Sequence, residues 1–404
     1  MIKLYPFQNE GVEFALSHHY SINACEMGLG KTLMALTVAD FVGGKILVIC
    51  PAYLKSNWIR EHRRCTQRTS TPRILSYEAF TKQADSLGYF DIVIFDEAHY
   101  LKNIGSKRTK SSHAYIKKIQ PKYLMLLSGT PIKNHVAEFY SLLKLCSYNP
   151  RETSGIPLRK GFKTFTSYLT FKFEYRLPSG AVVTKYQGLK NKNLLLKYLE
   201  GKYFRRVASQ ELNLPKITRQ HISCKALATE RGKELLKEFE EQSSGHISTM
   251  KKEAAIAKVD YTLKYALDLF DQEVSPILIF TDHIEPAQKI HEGLKKHRRK
   301  GDYITGARKP EDRAKLVSEF QDGRLEYLVC TIGSMSTGFT LTATNRIIFN
   351  DLSWCPSDNA QAEARIYRIS QNRPCFITYI VSEGIDEKII SILEEKMGVL
   401  KDAL

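Results

Sequence analysis

The stretch INACEMGLGKTLMALTVADFVGG, residues 22 to 44, runs from a short apolar segment through a glycine-bearing turn into a helical pattern. Residues 22 to 25 read as a buried strand and TLMALTVADFV as a helix stopped by Gly43 and Gly44. Between them Gly28, Leu29, Gly30, Lys31 and Thr32 form a strand-to-helix turn, where backbone amides and a helix N-terminus suit a bound phosphate. Gly30-Lys31-Thr32 completes the end of the pattern G-x-x-x-x-G-K-[ST], yet Cys25 stands where that pattern has its first glycine. Three residues do not separate a phosphate loop from coincidence, so the rest of the chain must supply the partners of such a loop.

Further apolar runs follow at 45–50, 73–77, 91–95 and 123–127, with helical stretches between them, as in a parallel sheet buried on both faces. A second series at 276–280, 327–331, 346–350 and 375–381 predicts a second α/β unit. The fold class is therefore α/β with two parallel-sheet lobes. Boundaries fall at 1–148 for the first lobe, 149–214 for an inserted helical and basic protrusion with connector, irregular and aromatic in pattern, and 215–404 for the second lobe. Within the second lobe, 227–270 reads as a helical protrusion broken at Ser243-Ser244-Gly245. A small third domain with its own ligand is the alternative for the middle region.

The chain has 404 residues, 43% of them hydrophobic and 25% charged, which is the make-up of a soluble globular protein of two domains. No apolar run approaches the roughly 18 residues that span a bilayer, and the start MIKLYPFQNE lacks signal-peptide architecture, so no membrane association is expected. An intracellular setting follows: cytoplasmic or nucleoid-associated in a prokaryote or virus, nuclear in a eukaryote. Sixty Lys and Arg against 43 Asp and Glu leave a net charge of +17, which favours a polyanion such as nucleic acid, with an acidic membrane surface as the competing partner. The eight cysteines are scattered without metal-site spacing and read as reduced, mostly buried thiols.

In open α/β sheets ligands bind beyond the carboxyl ends of the strands. At the first such end Lys31 would reach the β and γ phosphates of ATP and Thr32 would ligate Mg2+. At the end of 91–95 stand Asp96, Glu97, Ala98 and His99, offering a metal-linked carboxylate, Asp96, beside a carboxylate able to polarise water, Glu97. After 123–127 come Ser128, Gly129, Thr130 and Pro131, small groups suited to sensing phosphate or coupling it to movement. Each motif singly is compatible with a solvated loop, but three in order at successive strand ends are not accidental. In the second lobe Gln361, Arg365 and Arg368 fall at i, i+4 and i+7, one face of a predicted helix, where two arginines would neutralise charge on a transferred phosphoryl group. A capping box at Asp358 with a wet arginine face is the bland alternative.

This order of motifs resembles the Swi/Snf-type helicase-like ATPases of helicase superfamily two. The resemblance runs through LYPFQNEGV, EMGLGKT, ILVICPAYLKSNWIRE, DEAHYLKN, LLSGTPIKN, YFRRVASQELNLP, ILIFTDH, STGFTLTATNRIIFNDLSW and QAEARIYRISQ. In that family the phosphate loop itself lacks the first glycine, so Cys25 is no anomaly. The closing LEEKMGVLKDAL and the compact connector resemble the HARP-type annealing helicases. The resemblance implies two RecA-like lobes with inserted helical protrusions, Gln8 at the adenine edge, and Gly338 with Gln361 at the nucleotide. It also implies translocation on double-stranded DNA by a monomer, with DNA-bound proteins as further partners. Ala364, Tyr367 and Ser370 replace the family's usual Asp, His and Gly, which bears on coupling more than on hydrolysis. Both termini lie close to the outermost motifs, so strand annealing and nucleosome remodelling are not carried over.

The segment 101–122, read as a loop, holds seven basic residues and no acid; Lys102, Lys107, Arg108 and Lys110 crowd just beyond the carboxylates and suit a phosphate-tracking surface. Resemblance adds Lys55 and Asn57 in the first lobe and Thr281, Thr331 and Ser336 in the second as DNA-backbone contacts. Trp58 and Trp354 read as base-stacking or, more simply, core residues. A strand-separating DNA or RNA helicase, and a nucleic-acid-binding protein with a decayed ATPase, are the competing functions.

Overall fold

The computed structural model describes residues 3–65, 71–132, 135–151, 158, 161–176, 182–226, 234, 237, 247–337 and 339–403. The chain divides into two compact units, Met1–Glu211 joined by Lys396–Leu404, and Leu212–Glu395.

In the first unit β1 (Tyr20–Asn23), β2 (Ile46–Cys50), β3 (Arg73–Ser76), β4 (Ile92–Asp96) and β5 (Tyr123–Leu127) are strands of one sheet. An antiparallel ribbon follows, β6 (Phe171–Arg176) with β7 (Val182–Gln187), and then β8 (Tyr203–Phe204) returns to the sheet. The sheet order is β3-β2-β4-β5-β1-β8, parallel throughout. Residues of β1, β2 and β4 are buried along their whole length, which is why β2 and β4 up to Phe95 are continuously apolar instead of alternating. Helices cover the faces; Gly11 lets the helix Pro6–His18 approach the helix Lys31–Val42, since a Cβ there would lie 2.6 Å from Met34 Sδ.

The segment expected as an insertion between the lobes is mixed, not helical, over its described part. Phe165 and Leu169 of the helix Phe162–Leu169, and Leu195 and Leu199 of the helix Lys192–Leu199, join the first unit's core, and β8 extends the first sheet.

In the second unit β9 (Ile217–Cys224), β10 (Ile277–Thr281), β11 (Gly301–Ile304), β12 (Tyr327–Thr331), β13 (Arg346–Phe349) and β14 (Cys375–Ser382) form a second parallel sheet in the order β11-β12-β10-β13-β14-β9. The protrusion is represented by the helices Ile247–Ala257 and Val259–Asp271, with most of 227–246 outside the described residues. Buried Lys258 ties this region down: its ammonium donates to Asp386 Oδ2 at 2.6 Å and to the Ile380 carbonyl at 3.1 Å. Asp386 Oδ2 also accepts from the amide and hydroxyl of Ser382, each at 2.7 Å, which offsets the cost of burying the pair. All eight cysteines are free, and no helix among the described residues is long and apolar enough to cross a membrane.

Candidate active site

The turn after β1 has the backbone its glycines permit. Gly28 and Gly30 adopt φ of +85° and +79°, left-handed values that strain any residue with a Cβ. Gly30 precedes the helix Lys31–Val42, whose N-terminus carries no side-chain cap, leaving its first amides open to an anion. Lys31 folds back over the turn, donating to the carbonyls of Cys25 (2.8 Å) and Glu26 (3.2 Å). Burial lowers the proton affinity of its ammonium, and Glu97, Cys25, Asp96 and Glu26 push it back up. Thr32, one residue into the helix, is half-buried.

Gln8 is buried and holds the turn from behind. Its Nε2 donates to the Leu29 carbonyl at 3.1 Å, and its Oε1 accepts from the Tyr5 amide at 3.0 Å. A Cβ on Gly30 would sit 2.5 Å from Gln8 Nε2, so glycine is required there by space as well as by φ. Both ends of the Gln8 amide thus serve the protein's own backbone.

Asp96 ends β4, buried, with Oδ1 accepting from the Glu97 amide (2.9 Å) and Oδ2 from the Trp58 indole (2.8 Å). Burial, and then the charge of Glu97, raise the proton affinity of its carboxyl against the indole hydrogen bond and Lys31. Glu97 adopts φ +52°, ψ +50°, left-handed for a residue that is not glycine. Its carboxylate lies 3.1 Å from His99 Nδ1, and the same nitrogen is 3.2 Å from Ser128 Oγ. Ser128 Oγ in turn accepts from the Thr130 amide at 3.3 Å. The motif after β5 closes onto the phosphate turn, because a Cβ on Gly129 would stand 2.9 Å from Met27 Cγ and 3.2 Å from Lys31 Nζ. Three neighbouring strand ends of one sheet therefore bring Lys31, Asp96, Glu97, Ser128 and Gly129 together.

In the second unit the helix carrying Gln361 is Pro356–Glu363, with Cys355 at its N-cap position and no side-chain cap. It stops before the arginines: Arg365 and Arg368 occupy successive turns, with Arg365 N bonded to Ala362 O and Gln371 N to Arg368 O. The single helical face expected from the spacing is thus replaced by a tighter path, held because the Arg365 carbonyl accepts from Leu341 N. Arg365 is 4% exposed. Arg368 donates to Ala364 O (2.5 Å) and Thr340 Oγ1 (2.9 Å), and burial together with the charge of Arg365 pushes its guanidinium down to about 9. A cation held by neutral oxygens beside another cation favours an incoming anion.

Thr281 differs from expectation. It is fully buried, and its hydroxyl donates to Asp351 Oδ1 at 2.5 Å, inside a network that continues from Asp351 to Asn350 and Thr262. Thr331 is buried at the end of β12. Burial takes both from the set of surface contacts. Gly338 and the side chain of Ser336 lie outside the described residues.

Most of 101–122 is a helix, Lys107–Ile119, because Ser106 accepts the Thr109 amide as its N-cap; of the loop expected there only 102–106 and 120–122 remain. Lys107, Arg108 and Lys110 crowd its first turn, which holds no acid. Cations at the positive end of a helix are destabilising, and a bound anion offsets that cost. Lys107 and Lys110 are exposed. Arg108 stacks its guanidinium over Tyr100 at 5.3 Å, and Lys102 pairs with buried Glu138 at 2.9 Å. Lys55, exposed, begins the helix Lys55–Cys65, and Asn57 Oδ1 accepts from Arg60 at 2.7 Å.

Two site residues escaped the sequence reading of roles. Trp58, on that helix, holds Asp96; Tyr77 donates its hydroxyl to the Asp96 carbonyl at 2.9 Å and stacks on Tyr100. Their only signal in the sequence was an aromatic next to an apolar strand.

The SNF2-related domain family matches residues 62–270, over half of the chain, and the Helicase conserved C-terminal domain matches 257–370. The SWI/SNF-related matrix-associated actin-dependent regulator of chromatin subfamily A-like protein 1 of Xenopus tropicalis is 29% identical over 440 residues, covering 99% of this chain and 45% of that protein. The DNA annealing helicase and endonuclease ZRANB3 of Homo sapiens is 26% identical over 447 residues, covering 100% of this chain and 40% of that protein. The chain thus spans under half the length of these relatives. A solved structure, the Sulfolobus solfataricus SWI2/SNF2 ATPase core in complex with dsDNA, aligns over 100% of this chain and 93% of its own at 20% identity, with a TM-score of 0.41.

Proposed function

Because the chain belongs to the SNF2-related family, we propose that it is an ATP- and magnesium-dependent motor that translocates on double-stranded DNA. The observation that carries the proposal is the convergence of Lys31, Asp96, Glu97 and Gly129 on the open N-terminus of the helix Lys31–Val42. The turn fits a triphosphate: two left-handed glycines, uncapped amides and a half-buried lysine whose ammonium feels the charge of Glu97 and Asp96. ATP bound there supplies the phosphoryl group whose hydrolysis drives movement. Gly28 to Thr32 hold the phosphates by backbone amides, and Lys31 exchanges the carbonyls of Cys25 and Glu26 for phosphate oxygens. Thr32 and Asp96 would hold Mg2+, with Trp58 fixing one oxygen of Asp96. Glu97, kept in place by His99, orients the attacking water and takes its proton. Ser128, Gly129 and Thr130 report the phosphate state to the sheet, and Gln8 positions the turn and, on releasing Leu29, the adenine edge. Arg365 and Arg368 of the second unit neutralise the transferred phosphoryl group when the units close, and Gln361 and Gly338 line the same nucleotide. Lys55, Asn57, Lys107, Arg108 and Lys110 follow the DNA phosphates.

The test measures ATP hydrolysis with duplex, single-stranded and forked DNA and with RNA, together with displacement of a triplex-forming strand and unwinding of a tailed duplex. Duplex is expected to stimulate most and the triplex strand to be displaced. Unwinding of the tailed duplex without triplex displacement would promote the strand-separating reading.

A further inference from the structure

The ribbon β6–β7 is used by none of the chemistry above, and it carries an unusual surface. Phe171 and Phe173, at i and i+2, share one face of β6 and are 49% and 50% exposed. Tyr186 on β7 packs at 5.7 Å against both Phe162 and His135, which anchors the ribbon to the first unit. Lys190 Nζ lies 5.0 Å over the Phe171 ring, and exposed Lys172 pairs with Glu174. Tyr168, at the end of the preceding helix, is exposed as well. From Gly161 to Lys190 the sequence has five basic residues, Lys163, Lys172, Arg176, Lys185 and Lys190, against one acid, Glu174.

Leaving two phenylalanines half in water forfeits apolar burial, and adjacent exposed rings mark a contact surface. The charge around them selects a polyanion. An intact duplex offers such rings only its sugar-phosphate exterior, because its base faces are already stacked; unpaired bases offer free π-faces. We propose that the β6–β7 ribbon is a stacking platform for unpaired bases of single-stranded nucleic acid, with Phe171 and Phe173 under the bases and Lys190 on the phosphates. It rests on the nucleic-acid reading of the chain but is a site apart from the ATP-binding strand ends, and it takes a substrate form that the duplex track does not need.

The experiment uses the full chain and two fluorescent probes, an oligothymidine of about 20 nucleotides and a blunt duplex of about 30 base pairs, read by anisotropy. Phe171→Ala/Phe173→Ala should lower oligothymidine affinity about tenfold or more and change duplex affinity less than about twofold, the range that loss of base–aromatic stacking supports. Phe171→Tyr/Phe173→Tyr keeps the π-faces and should keep the affinity; Phe171→Leu/Phe173→Leu keeps only apolar bulk and should lose it, with thermal melting checking that each variant is folded. Unchanged oligothymidine binding in the alanine variant, equal losses on both probes, or full retention by the leucine variant would each overturn the platform. So would a wild-type dimer in light scattering that the alanine variant converts to monomer without loss of oligothymidine binding, since the face would then join copies of the chain. Absence of duplex-stimulated hydrolysis in the wild type would overturn the motor and leave this binding comparison standing.

Discussion

The indole N–H of Trp58 donates to Oδ2 of Asp96 across 2.8 Å, and no part of the tryptophan reaches solvent. One oxygen of the carboxylate assigned to magnesium is thus set by a helix whose first residue, Lys55, is exposed and basic. Trp58→Phe keeps most of the packing and deletes the donor. The magnesium concentration for half-maximal hydrolysis should rise several-fold, and the magnesium-dependent tightening of a fluorescent nucleotide should weaken, while nucleotide binding in chelator stays as in wild type. An unaltered magnesium requirement would leave Trp58 as packing alone.

Glu97→Gln should retain ATP binding and lower turnover by about 10²-fold or more, the usual contribution of a positioned base. Lys31→Ala should weaken both binding and turnover. Wild-type turnover in Glu97→Gln would mean that a different group activates the water.

Arg368→Ala tests the second unit. Its guanidinium is held by Ala364 O and Thr340 Oγ1 beside Arg365, an arrangement that gains from an anion only when phosphate arrives. Turnover on saturating DNA should fall by about 10³-fold, as loss of an arginine finger does, with DNA affinity little changed. Lost duplex binding with turnover spared would assign the residue to the DNA track.

Lys107 and Lys110 give a prediction with two signs. Replacing both by glutamate puts acids at the positive end of the helix Lys107–Ile119, which should stabilise it by about 0.3–1 kcal/mol per site, visible as a small rise in melting temperature. The same change should weaken DNA binding for all sequences alike and flatten its salt dependence. A steeper or unchanged salt slope would make this first turn an ordinary solvated face.

How much of this was legible in the sequence depended on burial. Strands β2, β4, β5, β10, β12 and β13, buried on both faces, announce themselves as apolar runs, and the motifs at their ends could be read directly. Edge strand β9, ITRQHISC, is largely exposed and polar, β8 has two residues, and β11 begins Gly-Asp, so none carries that signal. The ribbon's FKFEYR does alternate with period two, the mark of a half-buried strand, but its aromatic and basic content hides that pattern. Spacing placed Gln361, Arg365 and Arg368 on one helix face, whereas the contact of Leu341 N with the Arg365 carbonyl holds the chain in turns. The role of Trp58 depends on a hydrogen bond between residues 38 apart, which no local pattern encodes.

His113 supplies a prediction about stability and pH. It is buried on the helix Lys107–Ile119, its Nε2 3.1 Å from Ser141 Oγ, and among the described residues its Nδ1 has no hydrogen-bond partner. Burial, with the nearby charge of Lys144, lowers its proton affinity to about 4 from the ordinary 6.5. Below pH 6.5 the unfolded chain therefore takes up a proton that the folded chain refuses until pH 4, so stability falls as pH drops through that window. A shift of this size corresponds to roughly 3 kcal/mol at its limit. His113→Gln removes the titrating group and keeps a side-chain donor for Ser141. Its denaturation midpoint should be lower than wild type at pH 7.5, through the altered packing, yet decline less between pH 6.5 and pH 4.5 when both are followed by urea titration. Parallel curves for the two proteins would mean that His113 does not contribute to acid destabilisation, and that the slope belongs to other histidines such as half-buried His135, whose proton affinity desolvation also lowers.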